Sequence, residues 1–151
     1  MRYKIRQMSN QRKGSPVTPS ITRLNPPTMP DSTGLGYSQI SIVEAGRVAY
    51  VSGQVAVPPD GGAVPTGLAD QARLAAANAR AALDALGAGP EDIAILRCFM
   101  TDLGPDTLAT AYPAVLELFA GAAPCVTGVG VAALAGEDLK IELELTVRLP
   151  G

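Results

Sequence analysis

Leu139-Lys140-Ile141-Glu142-Leu143-Glu144-Leu145-Thr146-Val147-Arg148 alternates apolar and polar side chains without an error. Side chains of an extended segment point alternately to opposite faces, so this stretch predicts a strand with one core face. Leu139, Ile141, Leu143, Leu145 and Val147 form that face. Lys140, Glu142, Glu144, Thr146 and Arg148 form the other, which meets water or a second subunit. A strand of this kind needs an apolar layer on one side only, and the rest of the chain supplies it.

Gly67 to Leu86 reads as the clearest helix, with Ala72, Ala75, Ala76, Ala79, Leu83 and Leu86 on one face at spacings of three and four. Gly87, Gly89 and Pro90 stop it. The alanine stripe lets the helix lie close on a sheet. Gln71 and Asn78, seven apart, share a face and read as a solvated polar edge in preference to a ligand contact. Ile93 to Thr101 predicts a buried strand whose single charge is Arg97. Asp102 to Gly104 then turns the chain into a second helix with a core stripe of Leu108, Tyr112, Val115 and Phe119. Asp106 is its expected cap, and Pro113 is expected to kink or restart it.

Toward the N-terminus, Ser38 to Val43 and Arg47 to Val55 are expected to pair as a β-hairpin around Glu44-Ala45-Gly46. Pro58-Pro59-Asp60-Gly61-Gly62 is turn chemistry, with no strand leading directly into a helix to make a phosphate cradle. Before the last strand, Val126, Gly128 and Gly130 alternate with Thr127, Val129 and Val131, and the glycine face admits another backbone or a ligand at close range. The resulting order is β-β-α-β-α-β-β, an α+β fold with two helices on one face of a mixed sheet. Its other face is left uncovered, which predicts assembly of subunits through the sheet.

Composition limits the chemistry. The 151 residues suffice for one core, and 47% hydrophobic with 17% charged residues is a globular balance. There is no histidine, so a Ser-His-Asp triad, a Cys-His dyad and His-ligated zinc are all excluded. Proton transfer must rest on a carboxyl, thiol, phenol, amine or held water. Cys98 and Cys125 lack metal-like spacing and fit reduced thiols. No apolar run has the length of a membrane span and no signal-peptide segment is seen, so a soluble cytoplasmic protein is expected.

Six of the 12 basic residues (Arg2, Lys4, Arg6, Arg12, Lys13 and Arg23) precede the first acid, Asp31, leaving six against 14 acids beyond. Residues 1–23 are expected to be a disordered basic arm and residues 24–151 a single domain. The arm offers one aromatic, Tyr3, too little for a base-stacking surface, and nucleic acid is not an expected partner.

Gly36-Tyr37-Ser38-Gln39, Ser52-Gly53-Gln54, Gln71-Ala72-Arg73 with Asn78, Phe99-Met100-Thr101-Asp102-Leu103, Gly130-Val131-Ala132-Ala133-Leu134 and Ile141-Glu142 resemble the RidA/YjgF family in order and spacing. The resemblance spans about residues 24 to 149, and its specificity lies in the joint order of the motifs. It implies a chorismate-mutase-like fold assembled as a homotrimer, with a small-molecule ligand bound in clefts between subunits. It also implies hydrolysis of reactive 2-imino or enamine acids to 2-keto acids and ammonia, with no cofactor and no metal.

In that family an arginine clamps the substrate carboxylate, while a glutamate and a backbone carbonyl position the water. Carried across, the glutamate falls on Glu142, the carbonyl on Gly128, the cleft tyrosine on Tyr37 and the serine-glycine pair on Ser52 and Gly53. The arginine falls on Val126. Cys125 and Thr127 flank it and are counted with the cleft wall. Without the resemblance, Glu142 is a solvated strand carboxylate, Tyr37 a packed interface aromatic, Cys125 a small buried residue with no basic neighbour evident, and Arg97 a surface arginine.

Three functions follow from the resemblance. One is an enamine or imine deaminase whose substrate differs from the usual 2-imino acids. Another is a non-catalytic trimer that binds a metabolite or a partner. The third, a ribonuclease or translation inhibitor, has only the basic arm in its favour.

Overall fold

The computed structural model describes residues 20–151. The expected disorder of residues 1–19 lies outside the described residues. Residues 21–23, expected within the arm, instead belong to the first strand.

The elements are β1 (Ile21–Leu24), β2 (Ile40–Val43), β3 (Val48–Val55), α1 (Leu68–Ala85), β4 (Ile93–Met100), α2 (Pro105–Phe119), β5 (Cys125–Gly130) and β6 (Ile141–Arg148). Four strands form a mixed sheet in the order β3-β6-β4-β5, with only the β4–β5 pair parallel. The alternating stretch is therefore a central strand, paired on both edges.

Both helices cover one face of this sheet. Ala72, Ala75, Ala79 and Leu83 of α1, with Ala111, Val115, Leu118 and Phe119 of α2, pack on Leu96, Met100, Ile141, Leu143, Leu145 and Val147. Each fully buried Leu or Ile in that layer contributes about 1.5–3 kcal/mol. The opposite face, carrying Glu142, Glu144, Thr146 and Arg148, has no helix over it among the described residues, and Tyr50 there is 82% exposed.

The N-terminal strands differ from expectation. β2 pairs antiparallel with β1, giving a separate two-stranded sheet, while β3 pairs with β6. The turn that should have closed a β2–β3 hairpin is held from elsewhere: Arg148 donates from Nε to the Glu44 carbonyl at 3.0 Å and from Nη2 to the Ala45 carbonyl at 2.9 Å. A side chain on β6 thus does the work assigned to a local hairpin.

Gln71 and Asn78 are not a solvated edge. Gln71 is completely buried, donating to the carbonyls of Pro65 (2.8 Å) and Asp138 (2.7 Å) and accepting from the Lys140 amide (2.8 Å). Asn78 donates to the carbonyls of Val55 (2.9 Å) and Val57 (3.0 Å). Both tie α1 to backbone groups of segments outside the helix.

Helix α2 runs through Pro113 without restarting, and its first turn is closed by Thr107, whose Oγ1 accepts from the Gly104 amide at 2.8 Å. Asp106 stands in that first turn, beside the capping group. Leu108, expected in the core stripe, is 39% exposed.

Candidate functional site

The register of β4, β5 and β6 decides how the candidate residues are distributed. Leu96, Cys98 and Met100 pair with Val126, Gly128 and Gly130 on one side and with Leu145, Leu143 and Ile141 on the other. Cross-strand partners share a face, so Val126 and Gly128 lie on the helix-covered face. Phe99 pairs with Glu142 and Val129, and Arg97 with Glu144 and Thr127. Glu142 and Thr127 therefore lie on the open face.

On the helix side, Val126 and Gly128 join Tyr37 in a cavity of about 460 Å³, whose other walls are Leu35, Cys98, Leu103, Leu108, Ala109 and Tyr112. Local backbone explains how Tyr37 reaches it. Gly36 has φ of +76°, a left-handed conformation that suits glycine, and the Ser38 amide donates to the Pro124 carbonyl at 3.1 Å, tying the loop to the lead-in of β5. Tyr112 donates its hydroxyl to the Leu35 carbonyl at 3.0 Å and closes the wall from α2.

Burial governs the titratable groups of this cavity. It pushes the Cys98 thiol up to about 11, so the thiol keeps its proton. Burial also raises the Tyr112 phenol, with Tyr37 and Cys98 adding to the effect. The walls are thus uncharged near neutral pH.

On the open face, β3 and β6 bring Gly53 against Glu142, with Ser52 the residue before it. The ladder pairs Val51 with Leu145 and then Gln54 with Leu143, so Ser52 and Gly53 are accommodated in a bulge that places one extra residue on β3. Gly53 lies directly against the Glu142 side chain. Among the described residues, no three Cys, Asp or Glu side chains come together as a metal site.

Arg97 does not reach the Val126 wall. It donates from Nη1 to Glu144 Oε1 at 3.0 Å on the open face. Cys125 lies at the start of β5 with its Sγ 3.2 Å from Ser41 Oγ. Arg23 completes that cluster, at 3.4 Å from Ser41 Oγ and donating to the carbonyls of Glu91 and Ile93. It is the basic neighbour that the sequence around Cys125 does not reveal.

The sequence missed the remaining walls of the cavity. Leu108 and Tyr112 were legible only as a helical stripe, and a spacing of four marks a covered face without saying whether side chains or a ligand cover it. Leu35, Leu103 and Ala109 carried no signal.

The family model described as Endoribonuclease L-PSP matches residues 29–149. The 2-iminobutanoate/2-iminopropanoate deaminase of Escherichia coli is 35% identical over 103 residues, covering 68% of this chain and 80% of that protein. Among solved structures, YyfB of Yersinia pestis, a protein of unknown function of the conserved Rid family, superposes with a TM-score of 0.81 at 32% identity, covering 86% of this chain and 99% of its own. Escherichia coli TdcF with bound serine gives 0.62 at 32% identity, covering 76% and 88%.

Proposed function

Because this chain belongs to the RidA/YjgF family, we propose that it hydrolyses a reactive enamine or imine in clefts between the subunits of a homotrimer. The observation that carries the reading is the apposition of Gly53 and Glu142 on the open face, the two positions that the family resemblance assigns to the cleft and to the water. The net reaction adds water across C=N: the water oxygen bonds to the imine carbon, the nitrogen takes up protons, and the carbon–nitrogen bond breaks to leave a carbonyl compound and ammonia.

Within one chain, Val126, Gly128 and Tyr37 lie on the face of the sheet opposite Glu142. The proposed cleft therefore joins the cavity of one subunit to Ser52, Gly53 and Glu142 of the partner subunit. The uncovered sheet face, with its exposed Tyr50 and Val48, supports such an assembly. Glu142 accepts a hydrogen bond from the attacking water, and the Gly128 carbonyl is its second acceptor.

The substrate differs from the 2-imino acids because Val126 stands where the resemblance places the clamping arginine. Charge-assisted hydrogen bonds contribute about 1.5–3 kcal/mol each, and every 1.4 kcal/mol is tenfold in binding. TdcF was solved with serine, which carries a carboxylate; the cavity here offers such a group no cation. Cys125 and Thr127 flank the same position. The two thiols are free, which suits a reducing, cytoplasmic setting. No helix among the described residues is long and apolar enough to cross a membrane.

Purified protein is expected to accelerate ammonia release from imines generated in situ, and Glu142→Gln to lower that rate by about tenfold or more. An unchanged rate in the variant would remove Glu142 from the reaction. A second reading, favoured by the uncharged cavity, is a trimer that binds a neutral metabolite without turning it over. Ligand binding with no ammonia release from any imine would establish it.

A further inference from the structure

Resting on the reading of the cavity as the substrate cleft, we propose that its ligand is a neutral imine bearing a compact apolar group, aromatic or branched aliphatic, with no carboxylate. Leu103, Leu108 and Gly128 set that specificity.

The cavity volume of about 460 Å³ lies within the range of small-molecule sites. None of its walls is charged. Its side-chain polar atoms are two phenols and one thiol, from Tyr37, Tyr112 and Cys98. Tyr112 already donates to Leu35, and burial keeps the Cys98 proton in place. The Tyr37 hydroxyl makes no side-chain hydrogen bond among the described residues, so it is the donor left for an imine nitrogen or a carbonyl oxygen.

A phenol can hydrogen-bond to a neutral acceptor but cannot neutralise a carboxylate, and a carboxylate against these walls would lose its hydration without a counter-charge. Two arginines on strands of the fold, Arg97 on β4 and Arg23 on β1, are otherwise engaged. Arg97 is paired with Glu144 on the other face, and Arg23 is held by the carbonyls of Glu91 and Ile93.

Gly128 supplies the space for the apolar group. A β-carbon there would meet nothing nearer than Leu103 Cδ2 at 4.0 Å. The volume that a side chain would fill on this face of β5 belongs to the cavity, beside the leucines of the β4–α2 connection and of α2. A flat ring or branched alkyl group placed there contacts Leu103, Leu108 and Val126 together and replaces water that has no charged partner.

Two stable ketones, acetophenone and benzoylformate, share the ring and differ by the carboxylate, so they rank the site without any turnover. Titrated into the full-length protein and followed by amide NMR shifts, acetophenone is expected to bind saturably and benzoylformate at least about tenfold more weakly. Gly128→Leu is expected to abolish acetophenone binding while leaving the melting temperature and circular dichroism unchanged, because the added side chain enters open space. Leu108→Gln, at a partly exposed position, provides a second perturbation and should weaken it.

Absence of acetophenone binding, equal or tighter binding of benzoylformate, or acetophenone binding indifferent to both variants would overturn the proposal. Failure of the deaminase reading would be seen separately, in ammonia release, and would leave the ranking of the two ketones to decide the ligand class.

Discussion

Gly53 lies so close to Glu142 that a β-carbon on the glycine would overlap the glutamate carboxyl group. The bulge on β3 brings the Gly53 backbone there, and the absence of a side chain leaves the carboxylate its place. Gly53→Ala is expected to displace Glu142 while leaving the core untouched. A loss of about 10- to 100-fold in imine hydrolysis, with little change in melting temperature, is the expected outcome, since a misplacement on the order of 1 Å is sufficient.

The division of the site between two faces of one sheet predicts complementation. Assembled as proposed, the Glu142→Gln and Gly128→Leu proteins should each lose ammonia release by about tenfold or more. Co-refolded mixtures should regain a fraction of wild-type ammonia release, because some clefts then combine an intact cavity with an intact Glu142. Mixtures as inactive as their components would show that both halves come from one chain.

Val126→Arg should exchange the ligand preference. An arginine at this wall introduces the missing counter-charge, and binding of a 2-keto acid should rise by about tenfold or more over the parent. If Glu142 and Gly128 are otherwise competent, hydrolysis of 2-imino acids appears with it. Measured affinity for benzoylformate and ammonia release from a 2-imino acid separate the two effects.

Gln71→Ala tests the loop that carries the chain from β5 into β6. The substitution leaves the Pro65 and Asp138 carbonyls and the Lys140 amide without their buried partner. A destabilisation of about 2–4 kcal/mol is expected from three lost hydrogen bonds and the cavity left behind, read as a lower urea midpoint with an unchanged slope.

Cys98 predicts a specific alkaline weakness. Its thiol ionises near 9 in the unfolded chain and near about 11 in the folded one. The folded state therefore holds the proton more tightly: the contribution is intact below pH 9 and is lost as pH rises from there toward 11. At roughly 1.4 kcal/mol per unit the loss approaches about 2–3 kcal/mol. Urea midpoints at pH 7.5 and 10.5 should fall further in the parent protein than in Cys98→Ala.

Strand and helix content were legible because burial imposes a period. The error-free alternation of β6 fixed its two faces, and the three-four spacing of α1 gave its apolar stripe with ends within one residue of Leu68 and Ala85. Periodicity carries no information about partners. The pairing of β2 with β1 was not visible, because the competing turn is held by Arg148, a residue distant in the chain. Gln71 looked like a solvated edge because its partners are backbone groups of the loop just before its helix and of a loop 67 residues on.

By itself, then, the sequence determined an α+β chain of the RidA/YjgF kind without histidine chemistry. Those properties reside in residue types and their order. Tertiary structure alone decided that Val126, Gly128 and Tyr37 surround an uncharged cavity on the helix side while Glu142 stands against Gly53 on the other. Which face a residue shares depends on register with neighbouring strands, and register is set by contacts between segments far apart in the chain.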